Sequence, residues 1–236
     1  MVSAEGRTKD EYKRGKLVMK ESEKENVRPG WSSEKQQSAD RIDSQNQAAE
    51  MPRVFVVKKH DAIRAGLHYD FRLGHNVVLL SWAVPDGPSY WPGHHPEAIQ
   101  VGDHSREYAF SERVIYDGPG AGTVMVWDWG TWVPLPGYTD VDASLRNGLL
   151  KFTLMGEKLK GNWKLARVEH YAGNRRNVIW TLSKEEDSFA RSETATSISE
   201  EASNSVITGR TMKEIADADS NKRNHRNEQQ GKLFNE

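Results

Sequence analysis

The chain of 236 residues carries 33 Lys and Arg against 34 Asp and Glu, a formal net charge of -1, and no cysteine. The missing thiols exclude disulfides, thiolate zinc sites and cysteine nucleophiles, and the balanced charge argues against a uniformly basic nucleic-acid binder, so any such surface has to be local. No apolar run approaches the ~18 residues of a membrane span, and the N-terminal MVSAEGRTKDEYKRGK lacks the apolar stretch of a signal peptide, which predicts a soluble cytoplasmic protein without membrane contact.

Residues 1–50 are rich in Lys, Glu, Ser, Gln and Asn and read as a flexible polar segment. The texture changes at Arg53. RVFVVKK, LHYDFRL and NVVLLSWAV read as successive strands, the last after the turn Gly74-His75-Asn76. AIQVGD, GTVMVWDWG, LLKFTLMG, NWKLARVEH and NVIWTLSK follow, separated by PDGPS, PGHHP, DGPGAG, PLPGY and AGNRR. A short helix is expected at DASLRNG, capped by Asp142 and stopped by Gly148. All eight Trp lie between Trp31 and Trp180, seven of them beyond residue 80, so the apolar material is concentrated in the strand region. Many short, β-branched and aromatic strands at this spacing predict an all-β, mainly antiparallel barrel over residues 51–190. Residues 191–236 read as a polar tail with a short helix at TMKEIADA. Both tails are expected to be dispensable for folding.

In a strand, side chains alternate between faces. Tyr69, Phe71 and Leu73 then share an apolar, packing face, and His68, Asp70 and Arg72 share the other. Three ionisable groups in a row are costly to bury without a purpose. A barrel surface with incidental charges would account for His-x-Asp alone. His60, in KKHD, adds a second imidazole, and two imidazoles with one carboxylate suit Mn²⁺, Fe²⁺ or Zn²⁺. Arg72 cannot be a ligand but could grip an anion bound to the ion. His104, in GDHSREY, could be a further ligand, a proton donor or a donor to phosphate. Tyr108, taken alone, reads as ordinary packing. Arg146–Arg176 holds eight Lys and Arg against two acids, within which Lys158, Lys160 and Lys164 read either as phosphate-backbone contacts or as a solvated strand edge.

These blocks fall into a known order: KHDA…LHYDFRL, SWAVP-x-GPS, DH-x-x-x-Y, GAGTV-x-VWD-x-GTW, GEKLKG-x-W-x-L and W-x-L-x-K. The order, from about Val54 to Lys184, resembles the 3′-phosphoesterase domain of bacterial and archaeal DNA ligase D and its stand-alone relatives. SVITGRTMKEIA resembles the segment that follows that module. The resemblance implies a β-barrel and a Mn²⁺-dependent repair enzyme, associated with a prokaryotic nucleoid, that resects a 3′-terminal ribonucleoside and removes a 3′-phosphate to leave a 3′-OH. It implies His60, His68 and Asp70 as metal ligands, Arg72 as phosphate contact, and His104 and Tyr108 as essential. DNA or RNA-tailed DNA 3′ ends would be the substrate, and a separate ligase or end-binding protein a partner. The chain departs from the family pattern in the inserted Ala65-Gly66, in Asp86 where Lys is usual, and in Gly102 where Glu is usual. Those departures fit an alternative, a catalytically weakened DNA-end-binding module. A non-haem iron oxygenase built on His68, Asp70 and His104 or His170 would also use His-x-Asp, but the chain has no Arg-x-Ser for an oxo-acid co-substrate.

Overall fold

A computed structural model describes residues 53–168 and 178–233. The expected flexible segment 1–50, the AGNRR turn and His170 lie outside the described residues. Nine strands form one antiparallel sheet: β1 (Val54–Ala62), β2 (Gly66–His75), β3 (Val78–Val84), β4 (Glu97–Ser105), β5 (Arg113–Ile115), β6 (Gly122–Pro134), β7 (Leu149–Gly156), β8 (Lys160–Arg167) and β9 (Ile179–Lys184). Neighbours run β1-β2-β3-β4-β9-β8-β7-β6, and β6 pairs back onto β1, closing an eight-stranded barrel; β5 hangs on the outer part of β6. Closure removes the free edges that an open sheet of aromatic strands would expose.

The predicted alternation sorts the side chains. Phe55, Val57, Tyr69, Phe71 and Leu73 point into a core with Trp82, Trp127, Trp132, Trp163 and Trp180. Burying each such ring is worth ~3 kcal/mol, so the tryptophans concentrated in the strands are what fill the barrel. β5 escapes sequence reading because three residues show no period. Gly66, at φ +74°, takes the left-handed conformation that ends the β1–β2 turn, which glycine adopts without penalty.

Two helical expectations need correction. The first helix, α1 (Val141–Arg146), is capped by Asp140, whose side chain accepts from the Ala143 N–H. Asp142 lies in the first turn and bonds His75 instead, at 3.0 Å. Two acids two residues apart offered the same capping signal, and the backbone uses the earlier one. Beyond β9 the chain forms α2 (Ile198–Glu201) and α3 (Met212–Leu233), the latter far longer than TMKEIADA. The segment after residue 190 also docks, contrary to the expectation of a loose tail. Ile198 and Ile215 enter the core, the Ala202 carbonyl accepts from Trp127 Nε1 and Lys158 Nζ, both at 2.7 Å, and Arg210 pairs with Glu112 at 3.2 Å. Two isolated isoleucines and a set of polar contacts leave no periodic pattern to read.

Candidate metal centre

β1 and β2 pair Val56 with Arg72, Lys58 with Asp70 and His60 with His68. Directly opposed residues share a face, so these six side chains form a ladder on the side away from the packed interior. His60 Nδ1 lies 3.8 Å from Asp70 Oδ2, and His68 Nε2 3.5 Å from Asp70 Oδ1. One ligand atom from each of the three falls within 4.8 Å of the other two. Among the described residues this is the one such cluster of His, Asp and Glu. The ring nitrogens facing away from Asp70 are engaged: His60 Nε2 with the Gly120 carbonyl at 3.1 Å, and His68 Nδ1 with the Gly66 carbonyl at 2.9 Å. A carbonyl only accepts, so both outer nitrogens carry the proton; the inner nitrogens face Asp70 and hold a lone pair when the ring is neutral, while His68 Nε2 donates to Asp70 when its ring is protonated. Fixing the tautomer through the far nitrogen is the usual support of a metal-bound imidazole.

The charges suit a cation. Burial pushes the Asp70 carboxyl up, but the His68 hydrogen bond and the Arg72 charge outweigh it and hold it below the usual carboxylate range. His68 is raised, chiefly by its hydrogen bond with Asp70. His60 is lowered by burial and so remains neutral. Arg72 donates from Nη2 to Asp70 Oδ2 at 3.0 Å. Its Nε is buried and has no hydrogen-bond partner. A buried donor left unmade is costly, and this one lies on the guanidinium that Asp70 orients.

His104 reaches the same face through a bulge. Val101 pairs with Ser81 but His104 with Leu79, three residues of β4 against two of β3, and the extra residue turns the His104 side chain. Ser81 Oγ donates to the Leu79 carbonyl at 2.9 Å and meets His104 Nδ1 at 3.0 Å. With the hydroxyl proton so directed, Nδ1–H is the donor and Nε2 the free nitrogen. Burial and the nearby Arg72 charge lower the His104 pKa. Tyr108 ends the short 3₁₀ turn Arg106–Tyr108, its half-exposed ring lying under the Arg113 guanidinium, 5.4 Å to the centroid. Its carbonyl, and that of Ser111, accept from Lys58 Nζ at 2.5 and 3.1 Å. Lys58 thereby fastens the 105–111 segment beside Asp70. Burial and Arg72 push its pKa down to about 8. Sequence reasoning passed over Lys58 and Ser81, although Lys58 stands two residues before His60, in phase with it.

Of the three lysines expected on a DNA backbone, two are engaged within the protein. Lys158 donates to the Ala202 and Asn204 carbonyls, at 2.7 and 2.5 Å, and packs 4.6 Å from the Trp127 ring centroid. Lys164 pairs with Glu185 at 3.4 Å. Lys160 is exposed, but β8 stands four strands from β2 in a ring of eight, directly across the barrel from the metal ladder. Spacing along the chain could not reveal on which side of the closed sheet these residues would fall.

Residues 58–167 match a family profile described as the DNA Ligase D 3′-phosphoesterase domain. The chain is 44% identical over 159 residues to the Multifunctional non-homologous end joining protein LigD of Pseudomonas aeruginosa, covering 67% of this chain and 18% of that protein. It is 39% identical over 116 residues to the Multifunctional non-homologous end joining DNA repair protein LigD of Mycobacterium tuberculosis, covering 48% and 14%. A relative from Mycolicibacterium smegmatis is 33% identical over 120 residues, covering 49% and 15%. The chain thus spans less than a fifth of the length of these curated relatives.

Proposed function

We propose that the chain, whose residues 58–167 match the DNA Ligase D 3′-phosphoesterase domain, trims DNA 3′ ends for strand-break repair. The reaction is removal of a 3′-terminal ribonucleoside, which leaves a 3′-phosphate, and hydrolysis of that 3′-phosphate ester to a 3′-OH. The observation that carries this reading is the convergence of His60 Nδ1, His68 Nε2 and Asp70 beside an Arg72 whose buried Nε lacks a partner. A mixed nitrogen and oxygen set of this kind fits Mn²⁺, the ion we assign to it. When bound, that ion supplies Lewis-acid neutralisation of phosphoryl charge.

The protein's own groups do the rest. Asp70 holds one arm of the Arg72 guanidinium, so its remaining donors are fixed before substrate arrives, and a phosphoryl oxygen would satisfy the unpaired Nε. Preorganised donors of this kind stabilise charge as it builds on the phosphoryl group. His104 is neutral near pH 7 because burial and Arg72 disfavour its charged form. Its free Nε2 accepts a proton from the attacking water. The phosphorus–O3′ bond then breaks, and the 3′ oxygen takes a proton from solvent to become the hydroxyl while His104 returns its proton to solvent. Lys58 holds the segment that carries Tyr108 against this site.

No helix among the described residues is long and apolar enough to cross a membrane. A separate ligase or end-binding protein would consume the 3′-OH product. The deciding experiment incubates the purified protein with a 3′-phosphate primer–template, with and without Mn²⁺. Metal-dependent appearance of a 3′-OH is expected. No product with Mn²⁺, or equal product after chelation, would overturn the assignment.

A further inference from the structure

With the β8 lysines on the far side of the barrel, the strand that carries the 3′ end needs another path, and the sheet register points to one. His68, His60, Val124 and Arg113 are successive cross-strand partners on β2, β1, β6 and β5. Opposed residues share a face, so Arg113 lies on the same outer face as the metal ladder. It is two strand spacings from His60, about 10 Å. Its exposed guanidinium rests on the Tyr108 ring. Directly after β5, Tyr116 is 48% exposed, and the Arg223 guanidinium of α3 covers its ring at 4.5 Å from the centroid. Two arginines are thus each held over the ring of a solvent-facing tyrosine.

Neither guanidinium is ion-paired among the described residues, because the neighbouring acids are occupied. Glu112 is turned inward, accepting from Arg210, Thr208 and the Val126 N–H. Asp219 accepts from the Val114 N–H, which ties α3 to β5. Asp117 accepts from the Gly118 N–H. Downstream of Asp219 the sequence reads Ser220-Asn221-Lys222-Arg223-Asn224-His225-Arg226, which is rich in basic residues. Arginine stacked on an aromatic ring keeps its N–H edge free for phosphate, while the rings offer stacking area to unpaired bases.

We propose that the strand bearing the scissile 3′ end runs over this row, with Arg113 on Tyr108 taking a phosphate near the end and Arg223 on Tyr116 a more distant one. This rests on the DNA-end reading above and names the surface that reading leaves unspecified. The β5 strand and α3 then serve as a docking rail for the backbone.

The test is equilibrium anisotropy of a 5′-fluorescein-labelled primer–template ending in a 3′-phosphate, measured across salt concentrations. Arg113→Gln/Arg223→Gln is expected to weaken binding at least about tenfold at low salt and to lower the slope of log K against log salt by roughly 1.5. Lysine at both positions should restore the slope but not all of the affinity. Lys160→Gln/Lys164→Gln should leave affinity and slope as in the parent. Mn²⁺ affinity and the thermal transition of the arginine variant should match the parent. An unchanged slope in the arginine variant, loss of binding only in the β8 variant, or a parent protein that does not bind DNA would each overturn the proposal. A parent that binds DNA through these arginines yet releases no 3′-OH would overturn the enzymatic reading and leave the docking surface standing.

Discussion

His60 and His68 stand directly opposite each other across the β1–β2 ladder, their ring centroids 4.7 Å apart and their planes inclined by 50°. The inserted Ala65-Gly66 lies at the intervening turn, and Gly66 does more than lengthen the loop. Its left-handed backbone starts β2 in the register that opposes the two rings, and its carbonyl fixes the His68 tautomer.

Metal binding at this pair should fall as pH drops, in a stated order. A ligand nitrogen must be deprotonated to bind. The His68 pKa is raised above 6.5, so protons begin to compete on the alkaline side of that value. His60 is lowered and competes only in more acidic solution. Apparent Mn²⁺ affinity should therefore decline about tenfold per pH unit at first, steepening once both rings titrate. Calorimetric titration in buffers of different ionisation enthalpy reads the protons released; an affinity flat from about pH 8 to 5.5 would remove these imidazoles from the ligand set. In the metal-free protein, the raised His68 stabilises the fold below 6.5 and loses that contribution as pH rises through its folded value. The depressed Asp70 stabilises above 3.8 and loses it as pH falls through its folded value. Both contributions coexist between 3.8 and 6.5, where the metal-free form should gain most from the site.

Removing the chain after residue 192 should destabilise the barrel. Ile215 is 2% exposed and Ile198 8%, both within the main core. Ile215→Ala should cost about 2–4 kcal/mol, and the truncation more, since it also strips Trp127 Nε1 and Lys158 Nζ of the Ala202 carbonyl. Urea unfolding of the two variants decides it. A midpoint unchanged by truncation would mean that these contacts contribute nothing.

Strand alternation was legible wherever a strand was long enough to show it. In β2, three apolar and three ionisable residues interleave without a break, so the packed face and the ionisable face could be separated from sequence. His104 was legible as a candidate but not its orientation, which depends on a bulge that only pairing with β3 defines. Lys58 and Lys158 show the opposite difficulty. Both are ordinary lysines in sequence, and both are spent on backbone carbonyls more than 40 residues away. Contacts of that range carry no local signal, and the same is true of the isoleucines that hold the C-terminal segment.

Gly102→Glu tests whether the departures from the family pattern limit activity. A Cβ at Gly102 meets nothing within 4 Å, so the substitution should fold with a change within about 0.5 kcal/mol. The Gly102 backbone already contacts His104, and a carboxylate there would favour the imidazolium. The acid limb of the pH–rate profile should move up in pH, with a rise in whichever of the two activities is weaker. Asp86→Lys, in the exposed loop after β3, should likewise raise the weaker of the two activities. If neither substitution changes either rate, these positions do not limit the enzyme.

The last prediction separates ligand from anion grip. Asp70→Ala or His68→Ala removes an atom from the cluster, so Mn²⁺ affinity and turnover should fall together, with partial rescue by excess metal. Arg72→Ala leaves all three ligand atoms in place but removes the guanidinium whose free Nε is buried. Metal affinity should then persist, while the rate falls by roughly 10²–10³, the cost of losing a preorganised donor to a charged transition state. Lysine at 72 should recover only part of this, because it cannot bond Asp70 and a phosphoryl oxygen in one plane. Tyr69 belongs to the other face, packed edge-on against Trp127 at 5.2 Å between centroids. Tyr69→Phe keeps that packing and should leave kcat within about twofold, at a stability cost of about 1 kcal/mol for its hydroxyl. Equal loss of metal binding in Arg72→Ala and Asp70→Ala, or a Tyr69→Phe defect as large as either, would contradict the division of β2 into a packed face and a chemical one. Because the variants differ in which measurement they spare, a general failure to fold would appear as loss of all of them and could not mimic the expected pattern.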